Sequence, residues 1–300
     1  MTLGRLWWLL KRDVRRGWAA TWHNYRTVPK LDAWTWPHRS EPPAVEVHVL
    51  TGANDWRLCM WMLATWFHVT ERSWRVVVHD DGTLTMDGRA RLEATFPYVR
   101  VISRREADAV MKPVLTPYVE CAGYRAQHPL GLKLFDVPHF AEGERFLLLD
   151  SDLVWFHYPR EIMDWVQHPE DRSCWFNEDV AEGALITHVM AERELGVKLW
   201  SRVNTGLCLM AKEAVDPQFC ERALTETPIL RGHIWRVEQT LLALCASRFG
   251  HGGLLPQTYE VSLAKWARED AVMRHYVGAV RQRFYGEGIA RMYREVLAKE

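Results

Sequence analysis

The sequence has no net charge: 38 Lys and Arg stand against 38 Asp and Glu in 300 residues. That balance excludes the basic footprint of a nucleic-acid-binding chain, so no nucleic-acid partner is expected. No apolar run approaches the roughly 20 residues that cross a bilayer. The stretch CMWMLATWF, residues 59–67, reads instead as a core helix. Internal repeats and low-complexity tracts are absent, and TGANDW after the first strand lacks the glycine-rich, basic character of a phosphate-cradling loop. Paired cysteine spacing is absent too. Cys59, Cys121, Cys174, Cys208, Cys220 and Cys245 mostly lie in apolar contexts, as in GLCLM, which points to buried free thiols in a reducing compartment and hence a cytoplasmic location.

What the chain does have is 48% apolar residues, 25% charged residues and 16 Trp, enough for one large globular domain or two small ones. Residues 1–43 read as a helical leader ending in the Pro-rich linker WPHRSEPPA, and 44–300 as the main domain. The apolar run Leu6 to Leu10 is too short for a secretory signal and its basic residues mostly follow it. Two readings of the leader stand side by side. One is an amphipathic segment touching the inner face of a membrane through Trp7, Trp8 and Leu10. The other is a helix that packs on the protein itself.

From residue 45 the pattern alternates. VEVHVLT (45–51), RVVVHDDG (75–82), YVRVIS (98–103) and RFLLLD (145–150) read as strands. A helix capped by Asn54 or Asp55 follows the first, and helical stretches fill 87–95 and about 118–140. SCWFNED (173–179) and VNTGLCLM (203–210) read as further strands, 180–198 and 236–249 as helices. Residues 275–300 begin as a loop and end as a helix. Apolar strands alternating with helices predict an α/β fold with a mostly parallel sheet covered on both faces. Ligands of such sheets bind beyond the carboxyl ends of the strands, where Thr51-Gly52, Asp80-Asp81-Gly82 and Asp150-Ser151-Asp152 all fall.

Asp150 and Asp152 close the most apolar strand. On an extended segment i and i+2 point the same way, so two carboxylates converge and need a cation. Hard carboxylate oxygens suit Mg²⁺ or Mn²⁺. With 15 Asp in the chain, chance alone supplies about 0.7 such triplets, so the motif gains weight only from its strand and its company. That company is HYVGAVR: His275 offers a metal ligand, Gly278 a close backbone approach, and Arg281 a planar fork for phosphate. The acids of SCWFNED read as a solvated turn.

The ordered set FLLLDSD, VNTGLCLM, EQTLLAL and HYVGAVR resembles the GT-A glycosyltransferases, most closely glycosyltransferase family 8, the glycogenin and bacterial galactosyltransferase type. The likeness covers about residues 45–285. Here Glu238-Gln239 replaces the family's Asp-Gln, and Gln282-Arg283 replaces the Pro-Trp after its late basic residue. The resemblance implies a GT-A fold and a nucleoside-diphosphate sugar donor. It implies Mn²⁺ or Mg²⁺ on Asp150, Asp152 and His275, and Lys133 and Arg281 on the diphosphate. Thr51, Gly52, Asp80 and Asp81 would line the nucleoside pocket. Asn204, Glu238 and Gln239 would face the donor sugar and the acceptor hydroxyl, with Glu238 the available base. The acceptor is a saccharide, lipid or protein, with pocket shape set by loops 104–132 and 178–202. Retaining and inverting chemistry both stay open. The rival readings are a GT-A-like scaffold without activity and, ranked lower, a sugar nucleotidyltransferase.

Overall fold

The computed structural model describes residues 17–38 and 40–298, together with Gly4, Trp7, Lys11, Asp13 and Val14. Trp8 and Leu10 of the expected membrane segment lie outside the described residues.

Apolar runs become the strands. β1 (Glu46–Thr51), β2 (Val76–Asp80), β3 (Val99–Ile102), β4 (Arg145–Leu149), β6 (Cys174–Glu178), β7 (Val203–Ala211) and β8 (Gly252–Leu254) form a seven-stranded sheet ordered β3-β2-β1-β4-β7-β6-β8. Only β7 runs against the others, pairing antiparallel with β4 and β6. A small sheet, β5-β10-β9, joins β5 (Leu153–Trp155), β10 (Met273–His275) and β9 (Tyr259–Val261).

Side-chain alternation on β4 divides the core. Leu147 and Leu149 face one layer, Phe146 and Leu148 the other. The first layer holds helix α2 (Trp56–Thr70), and the short leader helix α1 (Trp18–Trp22) adds Ala20. Leu31, Trp34 and Trp36 of the leader are buried there too; Trp61 Nε1 donates to Val28 O at 3.1 Å and Trp36 N to Thr95 O at 2.8 Å. Helix α3 (Met86–Thr95) covers the edge of this layer. The second layer is built from α5 (Val119–Gln127) and α6 (Leu130–Phe140), which follow α4 (Arg104–Leu115). It is completed by α8 (His188–Leu195), α9 (Pro217–Glu226) and α10 (Val237–Phe249); α7 (Arg160–Gln167) and α11 (Ala290–Leu297) pack back on the first layer.

Four local expectations are corrected. Residues 104–132 are mostly helix rather than loop: Ser103 caps α4 by accepting from Glu106 N at 3.2 Å. The helical stretch 118–140 is two helices, broken at His128-Pro129, because a residue before proline avoids the helical region. Of 180–198 only α8 is helical, starting where Thr187 accepts from Met190 N at 3.1 Å. His275 ends a strand and not a loop.

Candidate active site

Asp150 and Asp152 do not sit on one extended segment. A turn at Ser151-Asp152 carries the chain from the large sheet into the small one, and the turn makes the carboxylates converge. Asp150 N donates to Gly206 O at 2.7 Å, and Tyr276 N to Asp152 O at 3.0 Å. The β5–β10 register sets His275 opposite Leu153, next to Asp152. His275 Nε2 then lies 3.1 Å from Asp152 Oδ1 and 3.7 Å from Asp150 Oδ2. Ligand atoms of Asp150, Asp152 and His275 all fall within 4.8 Å of one another.

This donor set fits Mn²⁺ or Mg²⁺: two hard carboxylates and one imidazole nitrogen. The far side of His275 is also prepared. Its Nδ1 lies 2.9 Å from Asn204 Oδ1, which fixes the proton on Nδ1 and aims Nε2 at the acids, the arrangement that metal-binding imidazoles require. Burial works against charge on His275, but Asp152 outweighs it and raises the imidazole's proton affinity. Burial likewise opposes charge on Asp152, yet His275 and then Arg281 hold its carboxyl below the usual range.

Asn204 was expected to face the sugar. In the structure its amide ties strands together: Oδ1 also accepts from Gly206 N at 3.0 Å, and Nδ2 donates to Asp179 Oδ2 at 2.8 Å. Gly206 has a steric reason, since a Cβ there would overlap the His275 ring. Asp179, read from sequence as part of a solvated turn, anchors this chain of contacts. Its neighbour Asn177 is fully buried and donates to Tyr259 O at 3.1 Å. Strict alternation sets Asn177 on the face opposite Cys174 and Phe176, and the β6–β7 register shifts between Phe176 and Asn177, so the pattern gave no signal for its burial.

Lys133 is 2% exposed, and its ammonium meets Asp150 Oδ1 at 2.9 Å, Glu238 Oε1 at 3.2 Å and Thr205 O at 3.1 Å. The ammonium thus sits between two carboxylates and a backbone carbonyl, beneath the Asp150 side of the site. Burial opposes its charge, but Asp150 and Glu238 raise its pKa well above the ordinary lysine value. Glu238 is equally buried and also accepts from Thr205 Oγ1 at 3.1 Å. Burial raises its pKa and Lys133 only partly offsets this.

Arg281 is about a third exposed. It bridges Asp152 Oδ2 at 3.3 Å and Asp55 Oδ2 at 3.0 Å, so Asp55, expected only as a helix cap, joins the site. Gly278 is exposed and a Cβ there would meet no protein atom within 4 Å. Gln239 packs against Gly183, where a Cβ would overlap its amide. At the β1–β2 edge the Asp81 carboxylate lies over Gly52, filling the space of a side chain. Asp81 Oδ1 accepts from Thr83 N at 2.8 Å, and Asp80 Oδ1 from Gly82 N at 2.8 Å and Leu84 N at 2.9 Å. Both acids therefore shape the loop. Thr51 is buried with its hydroxyl unpartnered.

No protein-family model matches the chain, and no curated protein matches it. Solved structures do. Mouse xyloside xylosyltransferase 1 in its apo form aligns with a TM-score of 0.54 and 12% identity, covering 79% of this chain and 98% of that one. The apo bifunctional glycosyltransferase WbbM gives a TM-score of 0.51 and 15% identity, covering 89% of this chain and 54% of WbbM. This chain therefore spans about half of WbbM. The architecture they share with it is the GT-A fold.

Proposed function

We propose that the chain is a metal-dependent glycosyltransferase, most like glycosyltransferase family 8. It moves a sugar from a nucleoside-diphosphate donor to a hydroxyl on a saccharide, lipid or protein, in cell-surface polysaccharide or glycoconjugate synthesis. The observation that carries this reading is the Asp150, Asp152 and His275 cluster at the carboxyl edge of a GT-A sheet, with Asn204 fixing the imidazole. The six buried free thiols fit a reducing, cytoplasmic setting.

Asp150, Asp152 and His275 would hold Mn²⁺ or Mg²⁺, which when bound supplies a Lewis acid against charge growing on the leaving diphosphate. Arg281, about a third exposed between Asp55 and Asp152, would offer its guanidinium to the diphosphate oxygens. Gly278, open to solvent, lets backbone amides approach them. Thr51, Gly52, Asp80 and Asp81 form the rim of the nucleoside pocket, and Gln239 borders the donor sugar. The acceptor oxygen bonds to the anomeric carbon as that carbon's bond to the diphosphate oxygen breaks. Glu238 is tied to Lys133 out of solvent, so we assign it to holding the floor, and the acceptor's proton passes to the departing diphosphate.

The test is donor hydrolysis: purified protein, a panel of UDP-, GDP- and other nucleotide sugars, Mn²⁺, Mg²⁺ or EDTA, and detection of free nucleotide. Release from one donor that EDTA stops and Asp152→Asn abolishes is the expected result. No release, with no thermal shift from nucleotide or metal, sinks the enzymatic reading and leaves a GT-A scaffold.

A further inference from the structure

Helix α1 is built the wrong way round for a helix that only packs. Its small residue faces in: Ala20 is 4% exposed and seats against Gly286, where a Cβ would come within 3.2 Å of the Ala20 Cβ. Its large apolar residues face out. Trp18 is 79% exposed and Trp22 49%, their rings stacked at 5.7 Å. Burying those rings in water-free surroundings is worth more than burying an alanine, and among the described residues this face has no apolar partner.

The same surface draws on a distant segment. A groove of about 390 Å³ is lined by Trp18 and Ala20 on one side and by Trp266, Arg283 and Gly286 on the other. Residues Leu263 to Trp266 are exposed in one run, Trp266 by 59%. Lys265 Nζ stands 5.3 Å over the Trp266 ring, and Arg26 lies 5.8 Å from the Trp22 ring. Arg283 Nη1 donates to Lys265 O at 2.8 Å, fixing the two segments together. The acid of the groove, Glu287, is already engaged by Arg274 and Tyr276. Charge is also unevenly shared along the chain: residues 1–43 carry 8 Lys and Arg against 3 acids in a neutral protein.

We propose that Trp18, Trp22 and Trp266, ringed by Arg26, Lys265 and Arg283, form a surface that seats in the headgroup region of an anionic bilayer. Indole rings favour the interface, where the ring is apolar and the N–H wet, and the cations meet anionic headgroups. Trp266 also lines the neighbouring cavity of about 420 Å³ that Asp179 lines, and Asp179 leads through Asn204 to His275. The bilayer would therefore lie beside the mouth of the site, within reach of a lipid-borne hydroxyl.

The experiment is flotation of the full chain with vesicles of phosphatidylcholine alone or mixed equally with phosphatidylglycerol. The expected result is binding to the mixed vesicles only, reversed by NaCl raised to about 0.5 M. The double variant Trp18→Ser/Trp22→Ser, and separately Lys265→Glu, should each bind at least about fivefold more weakly. Circular-dichroism melts confirm that they fold, and donor hydrolysis without vesicles should match the parent. Failure of the parent to float, equal flotation with both vesicles, or variants that float like the parent would each overturn the proposal. Donor hydrolysis, measured apart from vesicles, tests the glycosyltransferase reading independently.

Discussion

His275 and Asn204 are 71 residues apart in sequence, yet Nδ1 of one lies 2.9 Å from Oδ1 of the other. The contact chooses the imidazole tautomer and points Nε2 at the two acids. Asn204→Ala should weaken Mn²⁺ binding roughly 10- to 100-fold, as loss of an outer partner does at metal-bound histidines. Asn204→Asp, which keeps an acceptor, should recover part of that loss. Titration calorimetry with MnCl₂ alone gives the answer; an unchanged affinity in Asn204→Ala would show that the contact orients nothing.

Two glycines near the site should respond in opposite ways. At Gly206 an added methyl must displace the His275 ring, so Gly206→Ala should cost about 1–3 kcal/mol and lower metal affinity. At Gly278 an added methyl meets nothing in the protein, so stability should stay within about 0.5 kcal/mol. Donor affinity should nevertheless fall there if the backbone approaches the diphosphate. Urea melts and nucleotide titrations of the two variants separate steric from ligand roles.

Removing Lys133 would leave Asp150 and Glu238 facing each other without their cation. Lys133→Met should therefore destabilise by about 3–5 kcal/mol, the range for one broken partner of a buried ion pair. Adding Glu238→Gln should recover part of it, because one of the stranded charges goes. Denaturant midpoints of the single and double variants decide; a double variant as weak as the single one would contradict the pairing.

A second buried cluster sets a pH dependence. His48 Nδ1 and His79 Nε2 are 3.0 Å apart beneath the sheet, against the rings of Phe146 and Phe140. Burial lowers the proton affinity of both and takes His79 well below 6.5; Arg100 pushes the same way on each, and Glu46 opposes it at His48. In the unfolded chain each would take a proton near pH 6.5. Below that the unfolded state binds more protons, so this contribution is full above about pH 6.5 and is lost as pH falls toward the lowered folded values. His275, raised by Asp152, acts in the opposite sense, with stability present below 6.5 and lost as pH rises through its folded value. The comparison to make is the melting temperature of the parent and of His79→Leu from about pH 8 to about pH 5. The variant should lose less on acidification, and parallel curves would remove His79 from the account.

The central strands were legible because burial on both faces writes itself as unbroken apolar runs, as in Phe146 to Leu149. The grouping of Asp150, Asp152 and His275 was legible as a set of residue types in order. What the runs do not encode is the environment of each polar group. Lys133 sits on a helix whose apolar neighbours gave no sign that its ammonium turns inward to two acids. Helix α4 was missed because RREADAVMKPVL mixes five charged residues with its apolar ones and buries only Ala107, Met111 and Leu115. Its Ser103-x-x-Glu106 start and its four-residue apolar spacing were the signals to read. Asp179 and Asp55 were passed over because their partners, Asn204 and Arg281, come from far along the chain.

The turn at Ser151-Asp152 has one more consequence. Asp150 follows the last residue of β4 in the large sheet, whereas Asp152 leads into the small sheet that holds His275, 123 residues further along the chain. A cation held between them would be a rivet through two plates, and its grip would add to the cohesion of the whole body. At a concentration 100 times its dissociation constant it would contribute about 2.7 kcal/mol against unfolding. If the site takes a cation, chelation would loosen the frame as well as remove chemistry.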